Sequence, residues 1–207
     1  MSGAWDRPAE RAARLLAGLV LFGLAMALLV EAGLGLDPWN VFNQGVARHT
    51  GLTLGQVTVI GSITLLGVWV PLGQRPGVGT IANALIVGPV LDLGIAWIPA
   101  AGGLAAQIAY MAAAIATTAL ATGLYVGAGW GPGPRDGLMT GLAARGIPLA
   151  RARAGVEITV LLLGWALGGS VGLATVLFAT SIGALVKVAL ARLSVRPPVS
   201  RFERSPG

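Results

Sequence analysis

Between Arg14 and Glu31, sixteen consecutive residues, Leu15 to Val30, carry no formal charge, and comparable apolar runs recur along the chain. A helix crosses the hydrocarbon of a bilayer with about 20 predominantly apolar residues. The second run goes from about Leu54 to Leu72 and stops at the turn-forming stretch PLGQRPG. The third extends from near Gly79 to about Ile98, interrupted only by Asp92. The fourth, Leu104 to Val126, follows the breaker Pro99-Ala-Ala-Gly-Gly103. A fifth, roughly Ala152 to Leu167, carries Glu157 near its start, and a sixth follows Gly168-Gly-Ser-Val-Gly172 and ends at about Leu190. Only 11% of the residues are charged, whereas a water-soluble domain uses roughly a quarter. The surface must face lipid, and an integral membrane protein with six spans is expected.

The basic residues give those spans a direction. With a cytoplasmic N-terminus, Arg7, Arg11, Arg14, Arg75, Arg135, Arg145, Arg151, Arg153, Lys187, Arg192, Arg196, Arg201 and Arg204 fall at the inner face. Only Arg48 lies outside, so 13 of the 14 Lys and Arg obey the positive-inside bias. Both termini are therefore expected in the cytoplasm of a cell-membrane protein. The net charge of +6 is explained by orientation and calls for no nucleic-acid partner. A cleaved signal peptide is the rival reading of the first run, but that run is long for one and the duplication below needs it retained.

Chemistry is sparse. The chain has no cysteine, which removes disulfides, thiolate catalysis and cysteine-held metal. Neither a metal motif nor a cofactor signature occurs. Residues 168–172 match G-x-S-x-G, yet the one histidine, His49, sits in the first outer loop and leaves Ser170 without a base. A non-enzyme that binds no cofactor and no metal is expected.

The chain reads as one unit written twice. At an offset of 96, Ala32, Gly33, Gly35, Pro38, Gly45 and Ala47 match Ala128, Gly129, Gly131, Pro134, Gly141 and Ala143. After one lost residue the agreement resumes at 95, where Gly51, Leu54, Thr64, Gly77, Thr80 and Gly88 match Gly146, Leu149, Thr159, Gly172, Thr175 and Gly183. Three spans per half is an odd number, so the second copy enters the membrane from the opposite side. Inverted repeats of this kind are common in secondary transporters, whose binding sites lie between the halves.

Each copy interrupts its first two spans with a proline after a glycine-rich approach, Asp37-Pro38 and Gly133-Pro134. Proline suits the first helical turn and Asp is a good N-cap. Short helices are predicted from Pro38 to Ala47 and from Pro134 to Ala144, with Asn40 and Asp136 three residues after the cap. Each is interfacial or re-entrant; a re-entrant one would turn its positive N-terminus toward a cavity. Trp39 reads as an interfacial anchor.

LGLDPWNVFNQG, then TGLTLGQV and RPGVGTIANALIVGP, resemble the YczE/YyaS/YitT group of bacterial membrane proteins, and the YczE type above all. The resemblance runs from about Leu15 to Leu190. It implies a multi-pass bacterial cell-membrane protein and carries over no catalytic residues.

The expected fold class is all-α, a polytopic membrane bundle of six helices arranged as two inverted three-helix repeats. Residues 1–12 read as a cytoplasmic segment, 13–103 and 104–192 as the repeats, and 193–207 as a basic, disordered cytoplasmic tail. Ionisable and polar groups inside spans are functional candidates by default. Asp92 leads, with Asn83 and Thr80, which share a helix face one turn apart. Asp37, Asn40, Gln44 and Asp136 in or beside the short helices complete the candidate solute path. Glu157 is expected to pair with Arg153 one turn earlier. The leading functional reading is a small-solute permease with its path between the halves. The alternative is a membrane scaffold or accessory subunit without transport. Beyond the lipid bilayer, a small solute, a second copy of the chain or another membrane protein are the candidate partners.

Overall fold

The computed structural model describes residues 7–195 and contains eight α-helices and no strand among them. They are α1 (Pro8–Ala32), α2 (Pro38–Thr50), α3 (Leu54–Trp69), α4 (Val78–Trp97), α5 (Leu104–Gly127), α6 (Pro134–Ala144), α7 (Leu149–Ala166) and α8 (Leu173–Leu193). The expected cytoplasmic tail falls almost wholly outside the described residues.

The helix ends sit where local chemistry puts them. Pro8, Pro38 and Pro134 each open a helix, at positions where a missing N–H costs nothing. Thr53 accepts from the backbone N–H of Gln56 while the Gln56 side chain accepts from the N–H of Thr53, a reciprocal cap that starts α3. Gly33 and Gly51, both with positive φ, close α1 and α2.

At the centre α1 and α5 run antiparallel, and Gly18 lets the backbone of α1 approach Ala121 and Tyr125 of α5. Small residues also set the flanking pairs: Gly23 meets Val87 and Val90 of α4, and Gly123 of α5 meets Ala189 of α8. Close approach at glycine and alanine is how helices gain packing where lipid supplies no hydrophobic drive. The short helices cross over: α2 packs on α7 and α6 packs on α3. Two arginines of α1 also close helices, Arg11 donating to the carbonyl of Ala128 at 2.5 Å and Arg14 to that of Leu193 at 2.7 Å.

Four helices, α1, α4, α5 and α8, are long and apolar enough to cross a membrane. Helices α2 and α3 meet that test together but bend by 112° at their junction, giving at most five by length and composition. The expected six are not reached because α3 has 16 residues and α7 carries Arg151, Arg153 and Glu157 within 18.

Contacts recur at positions matched by the sequence offsets. Gly79 N–H donates to Trp130 O at 2.8 Å, and Ala174 N–H donates to Leu34 O at 2.9 Å. Gly77 N–H donates to Thr80 Oγ1 at 3.2 Å, and Gly172 N–H to Thr175 Oγ1 at 3.1 Å. Gly131 lies against Gly77 and Thr80, and Gly35 lies against Gly172 and Thr175, both with positive φ that excludes a side chain.

Candidate functional site

The two short helices aim their first turns at one cavity of about 120 Å³, bounded by the middle stretches of α1, α4, α5 and α8. From α2 come Asp37, Pro38 and Trp39, and from α6 come Gly133 to Asp136 with Met139. Asn83, Thr118, Thr122, Tyr125 and Ser62 add polar atoms to the wall, while Phe22, Met26, Val87 and Phe178 make it apolar elsewhere. A largely apolar cleft with a few convergent polar groups is the ordinary form of a small-molecule site.

Arg135 ties the two helix ends together. Its guanidinium lies 3.5 Å from the Asp37 carboxylate, whose side chain is 3% exposed, and stacks 5.2 Å from the centre of the Trp39 ring. Asp37 is held from behind: Asn40 Nδ2 donates to Asp37 Oδ1 at 2.5 Å and its backbone N–H reaches Oδ2 at 3.4 Å. The Tyr125 hydroxyl donates to Asp136 Oδ2 at 3.3 Å, and Asp136 makes no ion pair among the described residues. At the rim, Arg153 Nε donates to Glu157 Oε1 at 2.9 Å, confirming the expected pair. The Trp39 indole N–H is buried and has no acceptor among the described residues. Trp39 is thus a wall of the cavity, beneath Arg135.

The sequence matches the family of unknown function DUF6198 over residues 9–190. The chain belongs to that family. A Haemophilus influenzae protein called "Uncharacterized protein" is 35% identical to this DUF6198 chain over 201 residues, covering 97% of it and 92% of the relative. The "Uncharacterized membrane protein YczE" of Bacillus subtilis is 31% identical over 178 residues, 84% of this chain and 82% of that one. These matches bear out the resemblance read from the motifs. No solved structure matches. With its several long apolar helices, this DUF6198 chain is a membrane protein.

Of the candidate residues in this DUF6198 protein, Asp37, Asn83 and Asp136 line the cavity. Asn40 stands behind Asp37, and Asn40 Nδ2 also contacts Met26 Sδ at 2.7 Å. Gln44 is turned away, its Oε1 accepting from Ser170 N–H at 2.7 Å and so fastening α2 to the loop before α8. Thr80 is fully buried and donates to Pro132 O at 2.7 Å, a brace for the turn that delivers α6. Asp92 stands apart: it accepts from Thr53 Oγ1 at 2.5 Å and from Gly55 N–H at 2.8 Å, capping α3. Sequence reasoning missed Arg135, Tyr125 and the hydroxyls of Ser62, Thr118 and Thr122 as wall residues. Arg135 follows the proline of the second copy directly, as Trp39 follows that of the first, and that matched place was the available signal.

Proposed function

We propose that the protein is a non-enzymatic small-solute permease of the cell membrane, made of two inverted three-helix repeats with both termini in the cytoplasm. Helices α1, α3 and α4 form one repeat and α5, α7 and α8 the other, with α2 and α6 as their short inserts. The observation that carries the reading is the cavity into which the two inserts point, joined across it by Arg135 and Asp37. Transporters of inverted-repeat design place solutes where helix N-termini meet at the repeat interface. The matched contacts of Gly35 with Gly172 and of Gly131 with Gly77 support the repeat itself.

A difference between the halves supports gated access. The α3–α4 seam is shut, with Gly55 and Gly88 in backbone contact and Asp92 clasping the start of α3. At the matched place in α8, Gly183 has no neighbour where a side chain would begin, and Lys187 replaces Asp92 and is exposed. Among the described residues, α7 has no comparable packing on α8, and Arg153, Glu157, Ile182 and Val186 from these helices border the cavity. One seam closed and its counterpart loose is the asymmetry that a rocking carrier exchanges between states.

The test is a thermal-shift screen of the purified protein against small polar solutes, followed by uptake of any hit into proteoliposomes. The permease reading expects at least one solute that raises the melting temperature and enters the vesicles, with its uptake rate changed in Arg135→Ala. A hit-free screen together with one stoichiometric protein partner in mild-detergent pull-downs would favour the scaffold reading.

A further inference from the structure

The cavity carries an unbalanced charge. Its lining holds three carboxylates, Asp37, Asp136 and Glu157, against two guanidiniums, Arg135 and Arg153, and Arg153 pairs with Glu157 at 2.9 Å while Arg135 pairs with Asp37 at 3.5 Å. Asp37 thus takes the Arg135 guanidinium, and Asp136, which makes no ion pair among the described residues, accepts from the Tyr125 hydroxyl. A net negative charge held among apolar walls inside a membrane protein is costly and favours a guest of opposite sign.

The walls have the matching chemistry. Trp39, Tyr125, Phe22 and Phe178 give the cavity aromatic faces, and the face of Trp39 already holds a cation, the guanidinium of Arg135 at 5.2 Å. Cations lie favourably over such rings, most strongly where water is excluded, and quaternary ammonium groups are recognised in this way. A carboxylate guest would meet Asp136 and Asp37 as like charges.

We infer that the solute is a small organic monocation, an amine or a guanidine, whose charged end seats between Asp136 and the aromatic wall. This rests on the permease reading above. Arg135 is then the resident counter-ion of Asp37, and it competes with the guest for the Trp39 face.

The experiment is equilibrium binding to the purified protein in nanodiscs, with four three-carbon probes, a cation, an anion, a zwitterion and a neutral amide: propylammonium, propionate, β-alanine and propionamide. Propylammonium should bind, Asp136→Asn should weaken it about tenfold, and Asp136→Glu should restore it. Arg135→Gln, which removes the competing cation, should tighten propylammonium binding severalfold. Each variant is read only on monodisperse protein of unchanged helical content. If Asp136→Asn does not fold, the gain in Arg135→Gln still decides. Binding of propionate, β-alanine or propionamide but not of propylammonium would overturn the cation assignment and leave a solute-binding cavity. Failure of all four would overturn the cavity as a solute site as well.

Discussion

The indole of Trp69 lies over Gly137, and at the matched crossing of the other half Gly164 lies against the backbone of Val41 and Phe42. The same crossing of a short helix with the opposite half is thus filled in two ways, a large residue against a gap and a gap against a bulkier chain. Trp69 also donates from Nε1 to Pro134 O at 2.9 Å, which fixes the first turn of α6 and with it Arg135.

Gly137→Ala should therefore destabilise the protein, because its methyl group would overlap the Trp69 ring. Overpacking of this kind costs typically about 1–3 kcal/mol. Thermal unfolding in detergent should show the loss, and Trp69→Phe in the same chain should recover part of it. An unchanged melting temperature would mean that α6 does not seat on α3 as described.

Two substitutions at Asp37 separate its roles. Asp37→Asn keeps an acceptor for the Asn40 N–H and removes the charge facing Arg135, while Asp37→Ala removes both. An N-cap is worth about 1 kcal/mol, so the alanine variant should melt lower than the asparagine variant by that order. Equal melting would show that the cap contributes nothing.

Asp92→Ala should lower stability and leave solute affinity unchanged. Its carboxylate serves Thr53 and Gly55 at the start of α3, away from the cavity wall. A tenfold drop in affinity, measured on folded protein, would return Asp92 to the solute path.

The helix ends were legible because their causes are local. Asp37-Pro38 and Gly133-Pro134 mark starts that need nothing from elsewhere in the fold, and α6 ends at Ala144 as the sequence predicts. Helix α2 continues one turn past the expected Ala47 to Thr50, where Gly51 takes the positive φ that ends it. What periodicity could not convey is which side chain crosses between halves. Arg135 reads as one more inner-face charge until α6 is folded against α3 and its side chain reaches Asp37. Asp92 reads as a buried charge in a span until the 112° turn from α2 brings the free N–H groups of α3 beside it.

Reporter fusions test the direction of the chain. Fusions at Gly102 and Gly169 should both report the outer face, and fusions at Arg75 and Arg145 the cytoplasm. Opposite faces for Gly102 and Gly169 would break the inverted arrangement.

Whether the cavity between the halves is reached from one side can be read by labelling Ser62→Cys in this cysteine-free chain, since Ser62 is buried in the cavity wall. A small membrane-impermeant thiosulfonate should modify it in inside-out vesicles, through the loose α7–α8 seam, and far more slowly in right-side-out vesicles. No modification from either side, in protein shown to be folded, would mean that the bundle is sealed and would contradict the account.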